Sequence, residues 1–483
     1  MNLDDKLKEL KEEVPKVDSS LEEKIFVRSK QKKTGRNPIF NKLTLSICGI
    51  VLVVLILIIG PITFRGTKND PFQNGPDESI IKLLHTVDEP TEYIMPASTQ
   101  NQFYEGLRLF SGKVAKLCLD GLKPEENAVM SPASIFSALA LVAECTDGKT
   151  RQEILNAIGM EYEVLEQNYA RFYQSLNQIE KGTNKTKGKL TNTIWLDKVF
   201  PYKEDCISDL ASKYFCYSHG VDFNQIEYVN KYISDFISKQ TNGLLKPELN
   251  LSPETVLVLL NTLYLRDAWN DTAKDLPLTQ EEYKFKNTDG MILSKQFLRG
   301  EYNSGRMFRN EAYKQFYTKT NEYTITFIVP QNGNKIEDVF TSEVISNARK
   351  TSYVFSSNFE GDEPREVYYT RCIFPEFSAS SELNLKEIFE SLGITDMFTP
   401  AANFSKITPE DLICNYAKHF AKLDVNKKGI EGAAATIIGV EALSPAPEIV
   451  KEIYEDFIVD ESFGFVISNG MGANLFSGII RNI

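Results

Sequence analysis

Nucleophilic and acid–base catalysis needs a base held beside a nucleophile, and the chain of 483 residues offers only three histidines, His85, His219 and His419. No G-x-S-x-G, H-E-x-x-H, Walker A or G-x-G-x-x-G sequence occurs, so the familiar hydrolase, metalloprotease and nucleotide sites are absent. The seven cysteines, Cys48, Cys118, Cys145, Cys206, Cys216, Cys372 and Cys414, are scattered without a C-x-x-C pair. They read as buried free thiols and not as a zinc site or a disulfide framework. No metal and no cofactor is expected, and the chain reads as a non-enzyme. A formal net charge of -12 would repel the phosphates of a nucleic acid, which removes that class of partner.

One segment does not fit an ordinary element. Residues 429–447, GIEGAAATIIGVEALSPAP, have no consistent period. Ala433, Ala434 and Ala435 favour helix, Thr436, Ile437 and Ile438 favour strand, and Pro445 and Pro447 impose an exposed, extended end. Such a sequence can occupy more than one conformation, although on these residues alone a plain loop is the simpler reading.

The surrounding elements are easier to place. Apolar residues at Phe103, Leu107, Phe110, Val114, Leu117 and Leu119 follow helical spacing and predict a surface-packed helix over 102–122. Ser131 and Pro132 open a second, more apolar helix, Pro being suited to the first turn. Runs of β-branched and aromatic residues predict strands at 190–196, 256–265, 323–329 and 366–374. The C-terminal alternation predicts two strands joined by a turn at Asn469-Gly470. The expected class is α+β, with long helices around mostly antiparallel sheets, over residues 99–483.

Ahead of this domain lies a segment of another kind. Residues 43–64, LTLSICGIVLVVLILIIGPITF, carry no charge, and 22 residues at about 1.5 Å each span a hydrocarbon core of roughly 30 Å. A retained transmembrane helix is expected, not a cleaved leader, because the apolar run is long and no small-residue cleavage site follows. Arg28, Lys30, Lys32, Lys33, Arg36 and Lys42 precede it, against Arg65 and Lys68 soon after. That excess places the tail, 1–42, in the cytoplasm and everything after the helix outside. Residues 65–98 turn polar and hold Pro71, Pro76, Pro90 and Pro96, as a linker would.

KKGIEGAAAT, residues 427–436, resembles the hinge of the serpin family, and the likeness runs in family order over 99–483: NAVMSPASIFSAL, GKTRQEIL, LTNTIWLD, ISDFISKQTNGLL, LVLLNTLYLRDAW, TITFIVP, FPEFSASSELNLKEIFESLGITDMF and LFSGIIRNI. The resemblance implies the serpin fold, helices around a large central sheet with smaller sheets and an exposed reactive loop at about 429–456. It implies a suicide inhibitor: a serine protease attacks the loop, and the loop then inserts into the sheet and traps the covalent complex. The hinge would be Gly429, Ile430, Glu431, Gly432, Ala433, Ala434, Ala435 and Thr436, with Ile430 standing where inhibitory members usually carry Thr or Ser. The family spacing puts the reactive bond at Leu443-Ser444, with Ala442-Leu443 as second choice, and so implies elastase-, chymotrypsin- or subtilisin-like targets. The resemblance also implies a sheet-opening cluster of Ser131, Ser134, Asn261 and His419, and a role for Trp269 at the top of the sheet where the hinge enters. The expected protein is a monomer, anchored in the lipid membrane by 43–64, with its serpin domain outside the cell. A non-inhibitory relative acting as a surface binding or scaffold protein is the alternative.

Overall fold

The computed structural model describes residues 76–87, 90, 92–177, 187–269, 275–303, 306–348, 365–414, 416–430 and 450–483. The helices are α1 (Gln100–Asp120), α2 (Pro132–Cys145), α3 (Gly148–Ile158), α4 (Tyr162–Leu176), α5 (Glu204–Tyr214), α6 (Ile226–Gln240), α7 (Ile336–Val339), α8 (Ser342–Ser346) and α9 (Lys386–Ser391). The strands are β1 (Ile81–His85), β2 (Ala128–Met130), β3 (Lys187–Asp197), β4 (Cys216–Val221), β5 (Leu257–Ala268), β6 (Tyr283–Lys286), β7 (Ile292–Lys295), β8 (Leu298–Asn303) and β9 (Met307–Arg309). They continue with β10 (Tyr313–Lys319), β11 (Tyr323–Pro330), β12 (Arg365–Phe374), β13 (Phe377–Asn384), β14 (Lys418–Asn426), β15 (Gly429–Ile430), β16 (Val450–Ile458), β17 (Phe463–Asn469) and β18 (Asn474–Ile480).

Local chemistry explains the helices that carry the core. The stripe Phe103, Leu107, Phe110 and Val114 buries one side of α1. Helix α2 starts where the Ser131 hydroxyl accepts the Ser134 N–H, with Pro132 in the first turn, and it is buried on nearly every side. A helix apolar all round belongs in the middle of a protein, and α2 lies behind β5 and β18.

The strands form a seven-stranded sheet in the order β1-β4-β3-β5-β15-β14-β13 and a six-stranded sheet in the order β2-β18-β17-β11-β10-β9. A three-stranded sheet, β16-β12-β8, and the hairpin β6-β7 complete them. Pairing is antiparallel except between β3 and β4 and between β12 and β16. β17 and β18 are buried at every residue and sit inside the six-stranded sheet. Their connection is longer than the two-residue turn expected at Asn469-Gly470. The Asn469 side chain accepts the N–H groups of Met471 and Ala473, and Gly472 takes the left-handed conformation at φ 86°.

A smaller core of Ile81, Trp195, Val221, Phe223, Val229, Ile233, Ile237 and Leu251 lies between the outer face of the large sheet and α6. Ile81 belongs to β1, inside the span 65–98 expected to be linker. The reason is that β4 has an open edge, and β1 adds to it antiparallel, with Ile81 opposite Val221. Further on, Ile94 bonds through both backbone groups to Gln174 and Arg171 of α4. The folded body therefore starts near Asp77 and not near Thr99. The expected membrane segment, 43–64, lies outside the described residues. Among the described residues no helix is long and apolar enough to cross a membrane.

Candidate functional site

The predicted hinge begins as a strand. After β14 the chain turns back through Lys427 and Lys428, and Gly429 and Ile430 wedge between two strands. Gly429 pairs with Ala268 of β5 and Asn426 of β14, and Ile430 pairs with Asp267 and Val425. Only glycine fits the first position: its φ is 137°, and an added Cβ would stand 2.0 Å from the Asp267 carbonyl oxygen. Ile430 is fully buried. The residue that departs from the family pattern thus occupies an apolar seat at the head of the sheet, where its side chain stabilises the wedge instead of opposing it.

The walls of this entry are braced. The buried Asp267 carboxylate accepts the N–H of Ala268 at 3.0 Å, the N–H of Glu322 at 2.8 Å and the amide of Asn321 at 3.1 Å. It thereby ties the top of β5 to the β10–β11 turn. Trp269, 3% exposed, donates its indole N–H to the Asn426 carbonyl at 2.9 Å and meets Phe374 edge-on at 5.7 Å. It stands beside the wedge.

Below Ile430 the two walls part. Among the described residues no strand pairs with the β14-facing edge of β5 from Leu257 to Arg266, or with the facing edge of β14 from Lys418 to Asp424. The lower part of this lane opens on a cavity of ≈ 380 Å³ lined by Leu257, Leu259 and Phe420 from the strands, Ala138 and Val142 from α2, and Phe389 from α9.

Across the floor of the lane runs the cluster expected from Ser131, Ser134, Asn261 and His419, and the structure brings all four together. His419 Nε2 accepts the Ser131 N–H at 3.0 Å, and the Ser134 hydroxyl donates to Asn261 Oδ1. The sequence reading missed the other half. Asn261 Nδ2 donates to Asn192 Oδ1 at 2.6 Å, the Ser137 hydroxyl donates to the same oxygen at 3.0 Å, and Asn192 Nδ2 donates to Tyr169 Oη at 2.8 Å. The readable signal was Asn192 itself, an amide in the middle of a β-branched and apolar strand, where such a residue persists only with partners. The network ties β14 to α2 through His419, and β5 and β3 to α2 and α4 through the two asparagines. Burial pushes the His419 pKa down to about 4, so at neutral pH the ring is uncharged and its Nε2 is free to accept.

The remaining predicted residues, Glu431, Gly432, Ala433, Ala434, Ala435, Thr436, Ala442, Leu443 and Ser444, lie outside the described residues. The other two histidines lie elsewhere in the fold. His219 stacks on Trp195 at 4.1 Å, with burial lowering its pKa to about 4, and His85 meets Glu204 at 2.8 Å. Among the described residues no cluster of three or more His, Cys, Asp or Glu side chains is arranged to hold a metal ion.

A model of the serpin family, described as serine protease inhibitor, matches residues 108–483. The chain belongs to the serpin family. It is 28% identical over 381 residues to an uncharacterized serpin-like protein of Methanosarcina acetivorans, covering 74% of this chain and 82% of that one. It is 28% identical over 370 residues to a serine protease inhibitor of Cyanea capillata, covering 74% and 93%. Among solved structures, the native state of the thermophilic serpin tengpin superposes with a TM-score of 0.65 at 20% identity, over 84% of this serpin and all of tengpin. Human thyroxine-binding globulin superposes at 0.63 and 19%, over 79% and 99%. These structures establish the serpin fold of the described body. Serpins in general are inhibitors that bind target serine proteases and not catalysts, although some are non-inhibitory.

Proposed function

We propose that this serpin is a suicide-type inhibitor of extracellular serine proteases with apolar primary specificity, held at the cell surface by residues 43–64. The observation that carries the reading is that Gly429 and Ile430 pair on both sides at the head of a lane between β5 and β14 that no other strand fills among the described residues.

Continuing that register gives a chemically sensible strand. Ile430 faces the core, so by period-two alternation Gly432, Ala434, Thr436, Ile438 and Val440 would follow it inward. Glu431, Ala433, Ala435, Ile437, Gly439 and Glu441 would face outward, which keeps both charges off the core side. The small residues come first, next to the wedge, and the larger aliphatic ones come later, level with Leu257 and Leu259 of the apolar cavity. Each ladder hydrogen bond gained contributes roughly 0.5–1.5 kcal/mol net, and burial of the inward side chains adds to it. Insertion of about a dozen residues thus releases on the order of ten kcal/mol or more.

The bait sequence sets the target. Leu443 before the bond suits apolar primary pockets, and no Lys or Arg occurs over 429–450 to suit trypsin-like enzymes. Incubation with elastase and with chymotrypsin, read on a denaturing gel, is expected to give a complex near the summed masses. Cleavage at Leu443-Ser444 or Ala442-Leu443 without any complex would favour the non-inhibitory reading. That second reading draws its support from thyroxine-binding globulin, a serpin solved with thyroxine bound.

A further inference from the structure

The C-terminal end of α2 meets the first turn of α5 through sulfur. Cys145 is the last residue of α2 and Cys206 the third of α5, and the two helices pack directly on each other. The Cys206 thiol donates to the Glu144 carbonyl at 3.9 Å, so its sulfur lies beside the peptide that joins Glu144 to Cys145. The Cys145 and Cys206 side chains are also hydrogen-bond partners of each other. Cys216 is a third thiol in this region, at the start of β4, but it turns to the Tyr217 carbonyl at 3.7 Å. Cys145 and Cys216 are fully buried, and Cys206 keeps 6% of its surface exposed. Cys118 on α1, Cys372 on β12 and Cys414 ahead of β14 belong to other elements.

Two thiols held in side-chain contact on packed helices are what a disulfide needs, since its β-carbons must stand about 3.8 Å apart. We infer that Cys145 and Cys206 are a redox pair, closed to a disulfide by a small-molecule disulfide of the glutathione class and reopened by the corresponding thiol. Cys206, the partner with access to solvent, loses its proton and attacks one sulfur of the oxidant, expelling the first glutathione thiolate. Cys145 then loses its proton and attacks Cys206 Sγ, expelling the second. Two electrons and two protons pass from the pair to the oxidant, which leaves as two thiols. The Cys206 neighbour, and after it burial, hold the Cys145 thiol well above its usual range, so Cys206 reacts first and closure is slow. An oxidising compartment keeps the pair closed, and a reducing one keeps it open.

The position of the pair gives the bond a consequence. The Tyr214 carbonyl at the end of α5 accepts Asn192 Nδ2 at 2.7 Å, and Ser137 of α2 donates to Asn192 Oδ1 at 3.0 Å. The disulfide therefore fastens α2 covalently to the helix that already holds β3.

The test treats the purified full chain with dithiothreitol or with oxidised glutathione, unfolds it in an alkylating reagent and maps its peptides by mass spectrometry. All seven cysteines should be alkylated after reduction. After oxidation two should be spared, and the Cys145 and Cys206 peptides should appear as one cross-linked species lighter by two hydrogens. Closing a loop of roughly 60 residues should also raise the melting temperature by about 3–6 °C. Cys145→Ser and Cys206→Ser should each lose the cross-link and the rise, and Cys118→Ser should keep both. The cross-link is read in the parent chain, so the result stands even where a serine variant does not fold. Complete alkylation after oxidation, a lasting glutathione adduct on Cys206, or a cross-link through Cys216 would each overturn the pairing.

Discussion

Gly429 and His419 act at the two ends of the lane, and each gives a measurable consequence. Replacing Gly429 by Ala forces a Cβ against the Asp267 carbonyl and a side chain into positive φ, at a cost of about 1–3 kcal/mol. The expected result is a seat that no longer holds Ile430, seen as a change in Trp269 fluorescence in a Trp195→Phe background and as more protease cleavage per complex formed. For His419 the folded pKa of about 4 lies below the unfolded value of 6.5, so the unfolded chain binds the extra proton between those limits. Its contribution is complete above about pH 6.5 and is lost as pH falls towards 4, by about 3 kcal/mol in all. The urea midpoint should drop between pH 7 and 4.5, and His419→Gln should drop less; equal slopes would remove His419 from the account. Further along the loop, on the proposed register, Ala434→Arg would put a charge on the inward face of the strand as it inserts, at a cost of several kcal/mol. Denaturing gels should then show cleavage with little complex, whereas Leu443→Arg should keep trapping and redirect it to trypsin-like enzymes.

At the scale of elements, β1 is the part of the fold that the sequence reading placed in a linker. Its five residues, IKLLH, bury only Ile81 fully, so no local period marks them as a strand. What makes them one is the open edge of β4, contributed by residues far along the chain. By contrast α1, α2 and the strands β3, β5, β11 and β12 were legible because each carries its own pattern of apolar spacing or β-branched runs. The candidate site divides in the same way. The Gly429 hinge and the Ser131, Ser134, Asn261 and His419 set came from likeness to a family, and Asn192 was visible as a misplaced amide. The seat of Ile430 and the Asp267 brace depend on contacts among β5, β14 and the β10–β11 turn that no local pattern encodes. Ile81→Asp should expose this non-local pairing: a carboxylate forced beneath α6 costs about 2–4 kcal/mol or frees the strand. Hydrogen exchange should then quicken at the β4 amides that face β1, with the Ser131 and His419 region unchanged.

For the whole molecule, the basic excess before residue 43 predicts that a protease added to intact cells sheds the serpin domain. Protection in intact cells, with digestion only after lysis, would reverse the orientation. The proposed anchor rests on an uncharged run of 22 residues that needs no tertiary partner to be read, whereas the lane left unpaired among the described residues is a property of the whole sheet. On the proposed inhibitory reading the native state is metastable, because residues 431–441 have a sequence suited to the lane between β5 and β14. The most direct test is the melting temperature of residues 70–483 before and after a single cut within 440–446. Insertion predicts a rise of tens of degrees, from a gain on the order of ten kcal/mol. An unchanged melting temperature after complete cleavage would contradict the account.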